Sequence, residues 1–357
     1  MLEAIEGARR FICLETYIYS ADEVGRRFLA ALIRAERRGA HVRVLVDALG
    51  SYGLPEGFFE PLRHAGGEFK LFNPIKVHRM GIRDHRKLLV CDNKVAFIGG
   101  FNISAVYDGD GVTCGWCDIG LQLEGPMVAA LTVSFEHMFA RAEFKHKRLF
   151  LLGNKGERKT VVSPNEQLLL SGPGRGRSPI TRALRRDLAQ AREAQIIVAY
   201  FLPTWRLRRS LVRISRMGGN LQLILAGKSD VPLSQLAGQS LYRRFLKTGA
   251  AIYEYQPQIL HAKLFIIDDV VYVGSANLDP RSLNINYELM VRFHNPQIAA
   301  KARSIFANTL KHSSPISLDS WGKSRSLWRR IKQHWAYFVL VRLDPWVARQ
   351  QWRALPD

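Results

Sequence analysis

Cysteine is scarce, with four residues (Cys13, Cys91, Cys114 and Cys117) in a chain of 357. That is too few for a disulfide framework and suits folding in a reducing compartment. No uninterrupted apolar run reaches the ~18 residues that a membrane-crossing helix requires. No signal-peptide pattern opens the chain. No membrane span is therefore expected, although attachment to a membrane surface stays open. No cluster of His, Asp or Glu has metal-ligand spacing, so neither a metal nor another cofactor is expected. Acidic residues are in deficit: 31 Asp+Glu against 52 Lys+Arg leave a net charge of +21. Such an excess favours polyanionic partners, meaning nucleic acid, an anionic bilayer or phosphorylated substrates, and says nothing about fold.

What the chain does have is an ordinary apolar fraction, 47%, and a length suited to two domains or one duplicated unit. A repeat decides between these. "DHRKLLVCDNKVAFIGGFN" (84–102) returns as "HAKLFIIDDVVYVGSANLD" (261–279). His85 and Lys87 are answered by His261 and Lys263, Asp92 by Asp268, and Gly99, Gly100 and Asn102 by Gly274, Ser275 and Asn277, with one residue fewer in the intervening turn. The echo extends upstream through strand-like 11–20 and 195–204, amphipathic helices 24–40 and 205–219, strands 41–47 and 220–227, and segments 66–74 and 249–257. Strands alternating with helices read as βαβ units forming a mostly parallel sheet covered on both faces.

The seam falls near 143–165, giving a first half at 1–150, a second at 151–312 and a tail at 313–357. The second half opens with an extra strand (166–172), a Gly-rich turn "PGRGR" (173–177) and a helix (178–194). In the first, Ile5, Ala8 and Arg9 fall where Leu188, Ala191 and Arg192 lie. The first half is therefore expected to lack its edge strand, through truncation, a late start codon or natural variation.

Residues i and i+2 of a strand share a face, so each histidine stands beside its lysine. If the halves pack about a pseudo-twofold, two histidines, two lysines and two asparagines converge on one anion. That set suits phosphodiester cleavage in two displacements. One imidazole attacks phosphorus while the other protonates the leaving oxygen, and an alcohol or water then releases the phosphohistidine. Lysine and asparagine side chains would stabilise the equatorial oxygens. A nucleophilic histidine needs its second nitrogen held by an acceptor; Asp118 and Glu288 lie at matching distances downstream of the two motifs.

The duplicated His-x-Lys-x4-Asp followed by Gly-Gly/Ser-x-Asn resembles the phospholipase D superfamily over residues 1 to about 310. The resemblance implies two tandem α/β/α sandwich halves sharing one cleft. It also implies a catalytic core of His85, Lys87, Asn102, His261, Lys263 and Asn277, with Asp92 and Asp268 as motif members of mainly structural role and Asp118 and Glu288 as His-supporting acids. "LETYIY", "HRKLLV", "LEGP", "AYFLPT", "GKSD" and "GSANLDPRSLNINYE" resemble the bacterial cardiolipin synthase branch. Asp84 departs from the Asn common there, which would alter hydrogen bonding near His85.

The branch implies a phosphatidyltransferase that joins two phosphatidylglycerol molecules into cardiolipin and releases glycerol. His85 would be the nucleophile and His261 the general acid then base, although near-symmetry leaves that order open. The enzyme would sit peripherally on the cytoplasmic face of the bacterial inner membrane, with anionic phospholipid as partner. The alternative is a phosphodiesterase or nuclease of the same superfamily, since +21 also suits nucleic acid. A scaffold with a dead site is disfavoured because neither half-motif has lost a key residue.

"CGWC" (114–117) has redox spacing but no second Cys pair for zinc. In the tail, five of seven tryptophans occur after residue 320, and Trp321, Trp328 and Trp335 recur every seven residues, which would put them on one helical stripe. With Arg329, Arg330, Lys332, Arg342, Arg349 and Arg353 nearby, that stripe reads either as a packed terminal helix or as one lying among lipid headgroups. Pro345 is expected to break it.

Overall fold

The computed structural model describes residues 1–74, 81–142, 159–173, 178–323, 326–346 and 348. Most of the seam, residues 174–177 of the Gly-rich turn, and the segment from 349 with Arg349, Trp352 and Arg353 lie outside the described residues.

The first half builds a sheet from β1 (Phe11–Thr16), β2 (His41–Asp47), β3 (Glu68–Phe72), β4 (Leu88–Cys91), β5 (Val95–Gly99) and β6 (Gly120–Glu124), in the order β3-β2-β1-β4-β5-β6. The second contributes β7 (Lys159–Ser163), β8 (Glu166–Ser171), β9 (Glu193–Val198), β10 (Asn220–Ala226), β11 (Ala251–Tyr255), β12 (Lys263–Ile267), β13 (Val270–Gly274), β14 (Glu288–His294) and β15 (Ser313–Ile316). Its order is β15-β11-β10-β9-β12-β13-β14-β8-β7, so β11-β10-β9-β12-β13-β14 repeats the first sheet strand for strand. Residues 313–316, expected to open the tail, instead add β15 antiparallel to β11. Among the described residues β6 has no strand on its outer side, whereas its counterpart β14 pairs with β8.

The sheets are mixed, not mostly parallel. β1, β2 and β3 run parallel, as the crossover helix Glu23–Arg37 requires, but β4, β5 and β6 alternate in direction. The physical reason is turn length. Residues 92–94 and 268–269 link β4 to β5 and β12 to β13, and turns that short can only reverse the chain, whereas a parallel return needs a dozen residues or more.

The crossover helix is amphipathic, burying Phe28, Leu29, Leu32 and Ala35. Asp22 caps it by accepting from Gly25 N at 3.0 Å. Helix Pro126–Ala140 is apolar on several sides because it fills the seam between sheets. Its Met127, Leu131, Phe135 and Phe139 pack in one cluster with Leu168, Leu289 and Val291 of the second half.

The tail forms two helices, Leu318–Lys323 and Leu327–Phe338. The seven-residue Trp stripe therefore does not hold. Trp321 is buried with its ring 4.8 Å from that of Tyr242, while Trp328 and Trp335 on the second helix are 73% and 60% exposed. The break includes Ser326, whose side chain caps the second helix at Arg329 N (3.2 Å), and is not at Pro345. Just ahead of Pro345, which has no N–H to donate, the helix widens into a π turn at Val339–Leu343. One face of Leu327–Phe338 packs through Ala336 and Tyr337 onto Leu202 and Ala237. Leu327, Trp328, Ile331, Trp335 and Phe338 face outward. The two readings of the tail describe opposite faces of one helix.

Candidate active site

Two short backbone bridges join the halves and position everything else. Asp84 pairs with Tyr287, and Cys117 with Leu260. His85 N donates to Tyr287 O and Tyr287 N to Arg83 O, both at 2.9 Å. Its pseudo-symmetric counterpart has His261 N donating to Cys117 O at 2.8 Å and Cys117 N to Ile259 O at 2.9 Å. In each bridge, the residue before a histidine meets the residue before an acid of the other half. The acids therefore cross over. His85 Nδ1 lies 3.0 and 3.1 Å from the two carboxylate oxygens of Glu288. His261 Nδ1 lies 2.7 Å from Asp118 Oδ2. With Nδ1 engaged by the carboxylate, each ring can turn Nε2 to substrate, although His261 Nε2 also has Lys263 Nζ at 3.2 Å.

Both histidines open into one cavity of about 430 Å³. Asn102 and Asn277 also line it. Asn102 Oδ1 accepts from Ile18 N at 3.1 Å and its amide donates to Tyr107 OH at 2.7 Å; Asn277 Oδ1 accepts from Tyr200 N at 3.4 Å. Lys87 and Lys263 sit behind the histidines, almost wholly buried. Lys87 Nζ donates to His85 O at 2.6 Å and lies 5.3 Å from the Tyr17 ring centre. Lys263 Nζ is 3.2 Å from His261 Nε2 and also contacts the His261 carbonyl.

Burial, with like charge beside it, shifts both histidines, Lys87 and Glu288. Burial, then the Lys87 charge, holds His85 well below the ordinary imidazole value. Burial and Lys263 lower His261 despite the opposing pull of Asp118. Burial pushes Lys87 down to about 7 and Glu288 up to about 8. The last two shifts are one effect seen from both partners: a dry site disfavours a separated ammonium and carboxylate. An incoming phosphodiester brings negative charge that favours the protonated lysines and one imidazolium.

Asp92 and Asp268, grouped with the catalytic set by the motif, lie outside the cavity. Both occupy left-handed turn positions (φ 57° and 47°) at the far ends of β4 and β12. Asp92 accepts from the backbone N–H groups of Arg9, Arg10 and Phe11 at 2.8–2.9 Å, and Asp268 from Arg192 and Glu193 at 3.2 and 3.0 Å. Each ties its hairpin to the entry of the neighbouring strand.

The Gly-Gly/Ser difference between the motifs also has a geometric cause. A Cβ on Gly100 would stand 2.2 Å from Asp118 Oδ1, so this position must be bare for the carboxylate to reach His261. The second motif has Ser275 here, and its hydroxyl donates to Glu288. Gly100→Ala should therefore displace Asp118 and lower kcat about tenfold to a hundredfold with little change in folding; a steady-state assay beside a melting curve checks this.

Asp84 is buried next to Glu15, and burial raises both carboxyls, Asp84 strongly and with Glu15 adding to it. Arg86 lies 3.0 Å from Glu15. In "CGWC" both Cys114 and Cys117 are free thiols. Cys117 serves the inter-half bridge, and burial pushes its thiol up to about 11.

Sequence reasoning missed the aromatic walls. Tyr17 meets His85 edge-on with ring centres 5.0 Å apart, and Tyr107 and Trp116 flank His261 at 5.5 and 5.6 Å. It also missed Tyr200, whose hydroxyl donates to Asp230 at 2.7–2.8 Å. "YIY" and "GKSD" marked two of these segments without indicating a role. Nothing in the sequence signalled that Leu340 and Asp344 of the tail would reach the cavity wall, where Arg281 holds Asp344 at 2.7 and 2.9 Å.

A protein family described as cardiolipin synthase, PLD-like domain, matches residues 1–107 and 184–310. The major cardiolipin synthase ClsA of Bacillus subtilis is 32% identical over 341 residues, covering 93% of this chain and 70% of that one. Cardiolipin synthase B of Escherichia coli is 34% identical over 304 residues, covering 83% and 73%. Among solved structures, phosphatidylserine synthase of Haemophilus influenzae superposes with a TM-score of 0.74 over 97% of this chain and 91% of its own, at 15% identity, a likeness of fold. The duplicated motif, the paired sheets and these relatives agree: the chain belongs to the family of cardiolipin synthase phospholipase D-like domains.

Proposed function

We propose that the protein is a peripheral membrane phosphatidyltransferase that makes cardiolipin from phosphatidylglycerol. The observation that carries this is the pair of opposed His–carboxylate couples facing one cavity. Residues 1–150 and 151–312 then act as the two half-sites, and within 313–357 the outward side of Leu327–Phe338 faces the membrane.

In the first step His85 Nε2 attacks the phosphorus of one phosphatidylglycerol. The bond from phosphorus to the glycerol headgroup breaks, and the departing oxygen takes the proton of His261 Nε2. In the second, His261 takes the proton of the headgroup hydroxyl of another phosphatidylglycerol. That oxygen attacks phosphorus, the bond to His85 breaks, and cardiolipin leaves. Lys87, Lys263, Asn102 and Asn277 stabilise the crowded oxygens. The aromatic walls keep the cavity partly dry, which favours an alcohol over water in the second step.

Incubation with labelled phosphatidylglycerol in vesicles tests the reading. Cardiolipin and glycerol in equal amounts are expected, and phosphatidic acid alone would replace transfer by hydrolysis.

His85 is held neutral well below 6.5, so the acid limb of kcat/KM should lie below that value. His261 must carry its proton in the first step and is itself lowered below 6.5, so kcat/KM should begin to fall with rising pH below that value and fall further as Lys87 loses its charge near 7. Bound substrate favours the ammonium, so kcat should stay level to higher pH; paired pH profiles measure both.

Among the described residues no helix is long and apolar enough to cross a membrane. We assign attachment to the cytoplasmic face of the inner membrane to the outward side of Leu327–Phe338, where burial of each large apolar side chain contributes about 1.5–3 kcal/mol at most. Replacing Trp328, Ile331 and Trp335 with Ser should release the protein from phosphatidylglycerol vesicles in a sedimentation assay without unfolding it.

A further inference from the structure

A second, larger cleft of about 850 Å³ lies between the tail and the second half. It shares no lining residue with the catalytic cavity. Arg216 ends one helix at its rim, and Arg243, Arg244 and Lys247 supply another wall. Arg330 and His334 close it from the tail, with Trp321 between them and the domain. No carboxylate lines it, and among the described residues Arg216, Arg243, Arg244, Lys247 and Arg330 make no ion pair. Five like charges held around one concavity without a counter-ion repel each other and lower the cost of binding an anion.

The tail helix indicates where that anion comes from. At 3.6 residues per turn, Leu327–Phe338 divides into three strips. Gln333 and Ala336 are buried against the domain, Arg330 and His334 border the cleft, and Leu327, Trp328, Ile331, Trp335 and Phe338 are exposed. The cleft-lining strip adjoins the exposed apolar strip. A helix lying with that strip in the headgroup region sets the cleft at the level of lipid phosphates.

We propose that this cleft is a second anion site that holds the phosphate headgroup of an anionic phospholipid, anchoring the enzyme beside its substrate surface. The inference rests on the membrane-facing reading of the tail and is independent of the transfer chemistry. Arg243→Gln/Arg244→Gln/Lys247→Gln in the full chain removes three charges from one wall, and Arg216→Gln/Arg330→Gln removes two from the others. Arg26→Gln/Arg37→Gln/Lys94→Gln on the first half is the charge-matched control.

Each cation lost near an anionic surface weakens partitioning about fivefold, so the triple cleft variant should bind phosphatidylglycerol-containing vesicles about a hundredfold more weakly. The double variant should fall about twenty-fivefold and the control much less. Turnover of a short-chain, micellar phosphatidylglycerol should stay at the wild-type level in all three. Cleft variants that partition like the control would overturn the proposal while leaving the membrane reading intact. Wild-type protein that ignores such vesicles would overturn both. Loss of pyrophosphate binding with unchanged vesicle binding would assign the cleft to a soluble anion and also overturn it.

Discussion

Replacing either His85 or His261 with Ala should lower phosphatidyl transfer at least about a thousandfold, and replacing both should cost little more than replacing one. The reason is that the two rings serve a single reaction coordinate. Without His85 no covalent intermediate forms. Without His261 the leaving alkoxide is unprotonated and the acceptor hydroxyl keeps its proton. Both rings open into the same cavity, so neither half has an independent site to fall back on. Steady-state assays of both single variants and the double variant measure this. Effects that multiply, or a single variant that retains substantial turnover, would mean two independent half-sites.

The exchanged acids make the second large prediction. Glu288→Gln and Asp118→Asn should each lower kcat roughly a hundredfold to ten-thousandfold, because an amide can donate to Nδ1 and put the histidine proton on the wrong nitrogen. The two losses should differ in kind. A nitrophenyl phosphodiester has a leaving group that needs no proton. With it, His261→Ala should recover a burst of nitrophenolate, and so should Asp118→Asn, whose carboxylate meets His261 at 2.7 Å. His85→Ala and Glu288→Gln should not recover. Pairing within halves would give the opposite pattern, with Glu288→Gln rescued along with His261→Ala.

How much of this could be read from the chain follows from what each signal encodes. The repeat aligned His85 with His261 and Asn102 with Asn277 because identical spacing on strands puts side chains on equivalent faces. It could not give strand direction. The short turns at 92–94 and 268–269 carried that information, but a helix-strand alternation upstream pointed to parallel pairing. Nor could it give the crossover of Asp118 and Glu288, since that depends on the bridges Asp84–Tyr287 and Cys117–Leu260 between segments remote in sequence. Asp92 and Asp268 show the converse. Their fixed spacing from the histidines reflects a hairpin geometry, with the carboxylates serving backbone amides at the far end of the sheet. In the tail the seven-residue Trp spacing ran through a helix break, so one period described two environments, a buried Trp321 and exposed Trp328 and Trp335. The approach of Leu340 and Asp344 to the cavity is a tertiary contact with no local pattern at all.

The most direct test of a single active site shared by both halves is to find the covalent intermediate. Wild-type enzyme turning over phosphatidylglycerol with labelled phosphorus is quenched in alkali, where phosphohistidine survives, then digested and mapped by mass spectrometry. Alkali removes the fatty acyl esters, so the account predicts a glycerophosphoryl group on Nε2 of His85, formed at least as fast as turnover and absent from His85→Ala. No covalent label during turnover, or a label carried by His261, would contradict it.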